Sequence, residues 1–496
     1  MQPDKTTHTS LLRTGLLLLS TCVVLTAMYF YFGKTTFTFA FSALVLFLVA
    51  RGIVAGWYAQ AVVLAGGIAL LLATIIISPG EAISKANSGS SFLNIFIAIK
   101  ETFSQQAAGL GLTIMVIAGF SRYMNEIGAS DKLVALCVVP LRKIKSRYLL
   151  LGLSYMLMQI LALFIPSASG LGLLMMATMY PVLCAVGCSK ESVAAIIASG
   201  VCIDFGPAAS SMIVGAEVAK VDLFGFFVYE QLPVAIFLIP FIGMMHMFVL
   251  RYWDRKSGTA GNNNTSTPRT EDIEQGKSDI PFYYAFLPMI PMFLLFIFSE
   301  LSEGVLPSWL HFQVDVVSAL LFSLFLALCF DLIKTKDLRA SLSKLAVMFD
   351  QMGKAFISIV SIILCAQVLA HGMMKIGVIN LLFSMVPTGN HTMILTAVIF
   401  SVLIFLGSVL MGTGTTFNAF ASVAGEVARV AGIPVAKVLI PMQFASGFGR
   451  TLSPIAGIVI AVAGMVGISP TEIVKRNIIQ VVSAFVLSII LSLIIT

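Results

Sequence analysis

Two ionisable residues, Arg450 and Asp204, stand inside long apolar stretches at points where Gly, Ser and Pro interrupt them. A charge at membrane depth costs at least about 2.5–3.5 kcal/mol on the insertion scale and usually has a functional partner. For a guanidinium the natural partner is an organic anion, because its planar fork pairs with a carboxylate through two parallel hydrogen bonds. The competing reading is a structural ion pair between Arg450 and Asp204. Ser446, Gly447 and Thr451 surround Arg450. Hydroxyls there add donors, and glycine lets backbone come close. Asp204, beside Ser199, Gly200 and Pro207, is the candidate site for a coupling proton or cation.

These interruptions are copies of one another. Ala198-Ser199-Gly200 followed by Pro207 recurs as Ala445-Ser446-Gly447 followed by Pro454, a shift of 247 residues (200 to 447, 207 to 454). The same shift carries Pro140 onto Pro387. Nearly the same one carries Ile127-Gly128 onto Ile376-Gly377 and Ser169-Gly170 onto Thr413-Gly414. Two further breaks, Ser167–Gly172 and Gly412–Thr416, therefore pair as hairpin tips. Unwound backbone in lipid leaves N–H and C=O groups unpaired, so it survives only when buried in protein or lining a wet cavity. Helix N-termini that follow a break suit carboxylates. The substrate-binding candidates are Ser167, Ser169, Gly170, Thr413, Gly414, Thr415, Ser446, Gly447, Arg450 and Thr451. Any one such motif also fits plain tight helix packing. Four in matched pairs point to a duplicated bundle of the kind that carries solutes.

Composition fixes the setting. The chain is 58% hydrophobic and 11% charged, against about 25% charged residues in soluble domains. It reads as an all-α polytopic membrane protein. The net charge of +7 gathers at the ends of spans, which is a topology signal and not a nucleic-acid footprint. The cysteines lie mostly in apolar segments, and the histidines form no ligand cluster, so no metal site is expected. No Walker A motif is present, so the driving force is expected from gradients or exchange.

Along the chain, residues 1–34 read as an extra N-terminal span and 35–250 as the first repeat, with a hairpin at 148–186 and an interrupted helix at 191–216. A polar cytoplasmic linker, 251–280, is expected to be disordered. The second repeat covers 281–496, with a hairpin at 391–430 and an interrupted helix at 434–465. Basic clusters at Arg142–Arg147, Arg251–Lys256, Lys334–Lys344 and Lys475-Arg476 share one side only if both hairpins are re-entrant. This threading gives about eleven spans plus two hairpins, with the N-terminus inside and the C-terminus outside. The basic loop 142–147 maps onto residues without Lys or Arg, so the two copies are expected to be inverted. Trp253 and Trp309 are expected at span borders.

The same residues carry a family resemblance. Ser446-Gly447-Phe448-Gly449-Arg450-Thr451-Leu452-Ser453-Pro454, with Gly457–Met465 and Ile468-Ser469-Pro470, resembles the C-terminal signature of DcuC-type anaerobic C4-dicarboxylate carriers. Ser167–Gly172 and Gly412-Thr413-Gly414 resemble that family's hairpins. The resemblance runs from about residue 100 to the end. It implies a homodimer in a bacterial inner membrane, with a scaffold domain and an elevator-like transport domain holding both hairpins. It also implies succinate, fumarate or malate as cargo, coupled to protons, sodium or counter-exchange, with no cofactor. The chain departs from the pattern at Asp204, where an apolar residue is expected, at Ser211 for an acidic residue, and at Thr415 for Asn.

Other classes compete. A carrier of amino acids or other organic anions shares the architecture, since Asp204 beside Arg450 suits a zwitterion. A passive channel and an intramembrane serine protease using Ser169 and His371 are the remaining readings. A protease needs a base within hydrogen-bond reach of its nucleophile, and the repeat places His371 well before the hairpin tip.

Overall fold

Long apolar runs bounded by polar caps and left-handed glycines become helices, and a computed structural model shows seventeen of them among its described residues. Those residues are 33, 35–53, 55, 57–78, 83–144, 146–257, 280–298, 314–378, 390–411 and 414–495. The chain begins with α1 (Thr35–Ile53) and α2 (Ala59–Ile77), followed by the 36-residue α3 (Ser91–Glu126). Gly128, at φ 77°, starts α4 (Ala129–Val138). The first hairpin comprises α5 (Arg147–Ala162) and α6 (Ala168–Ala185), with Ser167 capping α6. The first interrupted helix comprises α7 (Lys190–Ser199) and α8 (Ser210–Ala219). Then come α9 (Leu223–Lys256), α10 (Phe282–Ile297), α11 (Val316–Thr335) and the 39-residue α12 (Leu338–Ile376). The second hairpin is α13 (Asn390–Met411) with α14 (Thr415–Val430). The second interrupted helix is α15 (Val435–Thr451) with α16 (Gly457–Val466), and α17 (Pro470–Ile495) ends the chain. Nine of these helices are long and apolar enough to cross a membrane.

The duplication is visible in the backbone. A π-helical turn at Ala107–Gly111 in α3 recurs at Phe356–Val360 in α12, a shift of 249 residues. Gly128 and Gly377, both with positive φ, share that shift. Helices α8 and α16 match residue for residue at a shift of 247 (210 to 457, 219 to 466), and both end on a left-handed residue, Lys220 and Gly467. Extra backbone inserted as a single π turn is preserved mainly where geometry or function requires it; a third such turn, Phe227–Gln231 in α9, has no counterpart 247 residues on, where the last helix is regular.

Two compact units are present. In the unit built from Met1–Phe103 and Cys365–Thr392, Leu71, Ile83, Ile95, Ala98 and Val368 form a core. His371 Nε2 lies 2.8 Å from the Ile83 carbonyl there. In the unit built from Ser104–Leu364 and Met393–Thr496, each copy's broken helix packs into the other copy. Helix α8 touches α14 and α15, while α16 touches α6 and α7. Small residues permit the approach. A methyl on Gly425 would sit 2.2 Å from Val218, and one on Gly172 would sit 1.9 Å from Ile458. Arg429 of α14 donates to Glu426 and to the Val218 carbonyl.

Several expectations shift. Helices α3 and α12 outrun their apolar stretches, because helical hydrogen bonding continues through polar residues such as Lys100 and Glu101 or Asp350 and Lys354. The second helix break was expected from Ser446 to Pro454, but Ser446–Thr451 are helical and only 452–456 is unwound. Proline disrupts the carbonyl four residues back, so Pro454 unwinds the chain after Arg450 and leaves Gly447 and Gly449 in the helix. In the first hairpin the chain is non-helical at 163–167, so Ser169 and Gly170 lie in the first turn of α6. Asp254, Arg255 and Lys256, read as linker, belong to α9. Residues 1–32 with the expected first span, most of the linker, Trp309, Gly412 and Thr413 lie outside the described residues.

Candidate functional site

Gly200, Gly206 and Pro207 unwind the chain between α7 and α8, and Asp204 sits there with φ 45°. That conformation costs an L-residue about 1–2 kcal/mol, and Asp is among the few that adopt it. Two amides hold the Asp204 carbonyl. Gln231 Nε2 donates to it at 3.2 Å and Gln443 Nε2 at 3.4 Å. Gln231 Oε1 also accepts from the Gly206 N–H at 3.0 Å, so the loop is pinned on both sides.

Arg450, in the last turn of α15, reaches across to this loop. Its Nη2 donates to Asp204 Oδ1 at 2.7 Å and to the Val201 carbonyl at 2.6 Å. The two side chains are only 16% and 13% exposed, which puts the pair largely out of water, where an unmatched charge is costly. The approach depends on Gly447, whose position for a methyl is 2.1 Å from the Cys202 carbonyl oxygen. Gly449 packs likewise on Phe405.

The second hairpin closes over the pair. A methyl on Gly414 would stand 3.2 Å from Arg450 Nη1, 3.6 Å from Asp204 Oδ2 and 3.6 Å from Ser446 Oγ. Ser446 Oγ donates to the Gly414 carbonyl at 2.9 Å, and Ser408 and Thr416 hydroxyls meet at 2.8 Å behind it. Asp204, Gly414, Ser446, Gly447 and Arg450 thus converge at one place. The first hairpin makes a different group. Ser167 Oγ accepts from the Gly170 N–H at 3.1 Å, and Ser169 Oγ is 3.9 Å from the methyl position of Gly457 at the start of α16.

A cavity of about 720 Å³ opens beside that first hairpin, lined by Ser121, Arg122, Asn125, Ser167, Gly170 and Ser210 among others. It falls within the roughly 300–1,000 Å³ typical of small-molecule sites. Asp204 and Arg450 do not line it. The Asn125 side-chain carbonyl, which is buried, has no hydrogen-bond partner among the described residues.

Other expected residues turn elsewhere. Ser199 Oγ lies 3.1 Å from His246 Nε2, and Gly200 packs on Met158. Pro207 lines a small apolar pocket with Pro166 and Pro288. Thr451 Oγ1 donates back to the Gly447 carbonyl at 2.9 Å, so its hydroxyl is committed to its own helix. Three participants were not read from sequence, Gln231, Gln443 and Ser408, and Thr416 was read as part of the hairpin tip but not as a substrate-binding candidate. Gln443 stands seven residues before Arg450, two helical turns on the same face, a spacing that signals the contact once α15 is known to run unbroken.

An all-helical membrane protein with paired broken helices and a guanidinium at their meeting point has the frame of a solute transporter. A family model described as C4-dicarboxylate anaerobic carrier, DcuC, matches residues 37–496. The chain belongs to that family. It is 33% identical over 446 residues to the anaerobic C4-dicarboxylate transporter DcuC of Escherichia coli strain K12, covering 89% of this chain and 93% of that one. The identity and coverage are the same for the Shigella flexneri transporter of that name. The crystal structure of the Alcanivorax borkumensis YdaH transporter, described as having an unusual topology, superposes with a TM-score of 0.53 at 12% identity, over 85% of this chain and 95% of that one. The relatives are transporters, and this chain is a multi-pass membrane transporter and not an enzyme.

Proposed function

We propose that the protein is a secondary carrier of C4-dicarboxylates (succinate, fumarate or malate) in a bacterial inner membrane. The observation that carries this reading is Arg450, a mostly buried cation placed where two broken helices and a hairpin tip meet. A substrate carboxylate takes up the guanidinium edge, with Ser446 and the Gly414 backbone beside it. The first hairpin at Ser167, Ser169 and Gly170, with the Ser169 hydroxyl in the first turn of α6, receives the other end, and the cavity next to it is the route in. Thr413 and Thr415 belong to the second tip in this scheme.

The two copies lie antiparallel, the hairpins ride with the broken helices as an elevator-type moving domain, and the carrier works as a homodimer. Asp204 is the group through which a proton or sodium gradient, or exchange, is coupled. Uptake of labelled succinate into proteoliposomes tests the proposal. Arg450→Ala is expected to lower it at least about a hundredfold, the scale of a lost charged hydrogen-bond pair. Unchanged uptake in that variant removes Arg450 from the site.

One observation favours a second reading, a carrier of amino acids or other carboxylates. The carboxylate of Asp204 beside Arg450 gives the site a negative pole that an ammonium group would satisfy. Competition by succinate, aspartate and basic amino acids in the same assay separates the two.

A further inference from the structure

One arm of the Arg450 guanidinium, Nη2, is matched by the chain's own oxygens. Asp204 Oδ1 takes Nη2 at 2.7 Å, as a substrate carboxylate would, and Val201 supplies a carbonyl at 2.6 Å. Asp204 is held in its left-handed conformation by two glutamine amides on its carbonyl. Its carboxylate is therefore presented to Arg450 by fixed backbone and not by a free loop. The second hairpin rests directly on this pair, with a methyl position on Gly414 3.2 Å from Nη1 and 3.6 Å from Oδ2, and Ser446 ties the Gly414 carbonyl down at 2.9 Å. The pair is thus hydrogen-bonded and locally neutral within the chain itself.

We infer that Asp204 is an internal counter-carboxylate that stands in for substrate on Arg450, so that the empty carrier reorients and the protein moves its cargo as net flux, not only by one-for-one exchange. This rests on the carrier reading above. A carrier that crosses the membrane must not expose an unmatched charge to low dielectric. With Asp204 the empty form carries the pair as a neutral unit. Without it, the empty form moves a bare guanidinium, which slows that step on the order of a hundredfold. The loaded form brings its own carboxylate to Arg450 and escapes this penalty, and in the wild type the displaced Asp204 takes the coupling proton or cation assigned to it above.

The test is efflux of labelled succinate from proteoliposomes at clamped membrane potential, into buffer without succinate for net flux and into excess unlabelled succinate for exchange. The wild type is expected to show net efflux of the same order as exchange. Asp204→Asn and Asp204→Gly both remove the charge, and both tolerate the left-handed backbone. Their ratio of net efflux to exchange is expected to fall at least about tenfold, with folding checked by thermal unfolding in detergent. An unchanged ratio in the folded variants overturns the inference, as does an equal loss of both fluxes. If both variants fail to fold, the wild type decides, since net efflux below about a tenth of exchange overturns the inference by itself. Absence of any succinate movement by the wild type in either assay counts instead against the substrate assignment.

Discussion

Gly447 shows how little room a single residue leaves. Its missing side chain lets α15 lie 2.1 Å, measured from a methyl position, from the Cys202 carbonyl, and that carbonyl is two residues from Asp204. Gly447→Ala drives a carbon into backbone that cannot yield and is expected to cost about 1–3 kcal/mol as overpacking. Gly464→Ala, in α16 with open space around it, removes the helix cost of glycine and is expected to be neutral or to stabilise by up to about 1 kcal/mol. Thermal unfolding in detergent compares the two, and equal effects would show that the close approach is not under load. Arg450 was legible in the sequence because a lone cation in an apolar run is costly. Its pairing with Asp204 was open between ion pair and substrate contact, since a repeat alignment gives corresponding positions and not distances. The two glutamines were hidden by the same limitation. Gln231 comes from α9, a contact set by packing between helices, and Gln443 looked remote while α15 was thought to unravel at Ser446.

At the scale of elements, interruptions were easier to read than their edges. Gly and Pro mark where a helix is vulnerable, yet the unwound residues are decided by which hydrogen bond is lost. Pro454 removes its own N–H and crowds the carbonyl of Arg450, so the chain there turns through Leu452–Ala456, with Ser453 N–H bonding the Arg450 carbonyl at 3.2 Å. In the first copy a glycine at 200 and left-handed residues at 204 and 206 spread the break over a longer stretch. The second arm of the first hairpin depends on Ser167, whose hydroxyl caps α6 at the Gly170 N–H. Ser167→Ala is expected to cost about 1 kcal/mol in stability, read as a lower unfolding midpoint. If Ser167 also meets substrate, the apparent KM for succinate rises in that variant, while Ser167→Thr, which keeps the cap, preserves both. The π turns in α3 and α12 were invisible to apolar periodicity, because one added residue shifts the register without changing composition.

Across the whole molecule, a buried ion pair ties early helices to the last one. Arg476 of α17, 1% exposed, donates from Nη1 to Asp254 Oδ1 at 2.7 Å and to Ser192 Oγ at 3.0 Å. Ser189 and Ser192 hydroxyls also donate to Asp254, at 2.6 and 2.8 Å. Sequence reading counted Arg476 with Lys475 as a topology charge. Its burial follows from helix packing, since α17 lies against both α7 and α9. Removing Arg476 leaves the Asp254 carboxylate buried with two hydroxyls alone, so Arg476→Ala is expected to destabilise by about 3–5 kcal/mol, whereas in Asp254→Ala the guanidinium keeps Glu472 Oε1 at 3.1 Å and the loss is expected to be smaller. The double variant is expected to lose clearly less than the sum, as coupled partners do. Additive losses in a detergent unfolding series would show that the two charges are satisfied separately.

The mutual embrace of the two copies also bears on how the gene can be cut. Helix α8 is seated on α14 and α15, α16 is seated on α6 and α7, and Asp254 precedes the polar stretch that joins the halves. Each half packs the first arm of its broken helix itself but seats the second arm on the other half, so a half expressed alone is expected to be cleared by proteolysis. Two open reading frames, divided within 258–279 and translated side by side, should find each other in the bilayer and restore succinate movement. The peptide bond between them is then dispensable, and an ancestor made of two separate chains becomes a physically workable starting point.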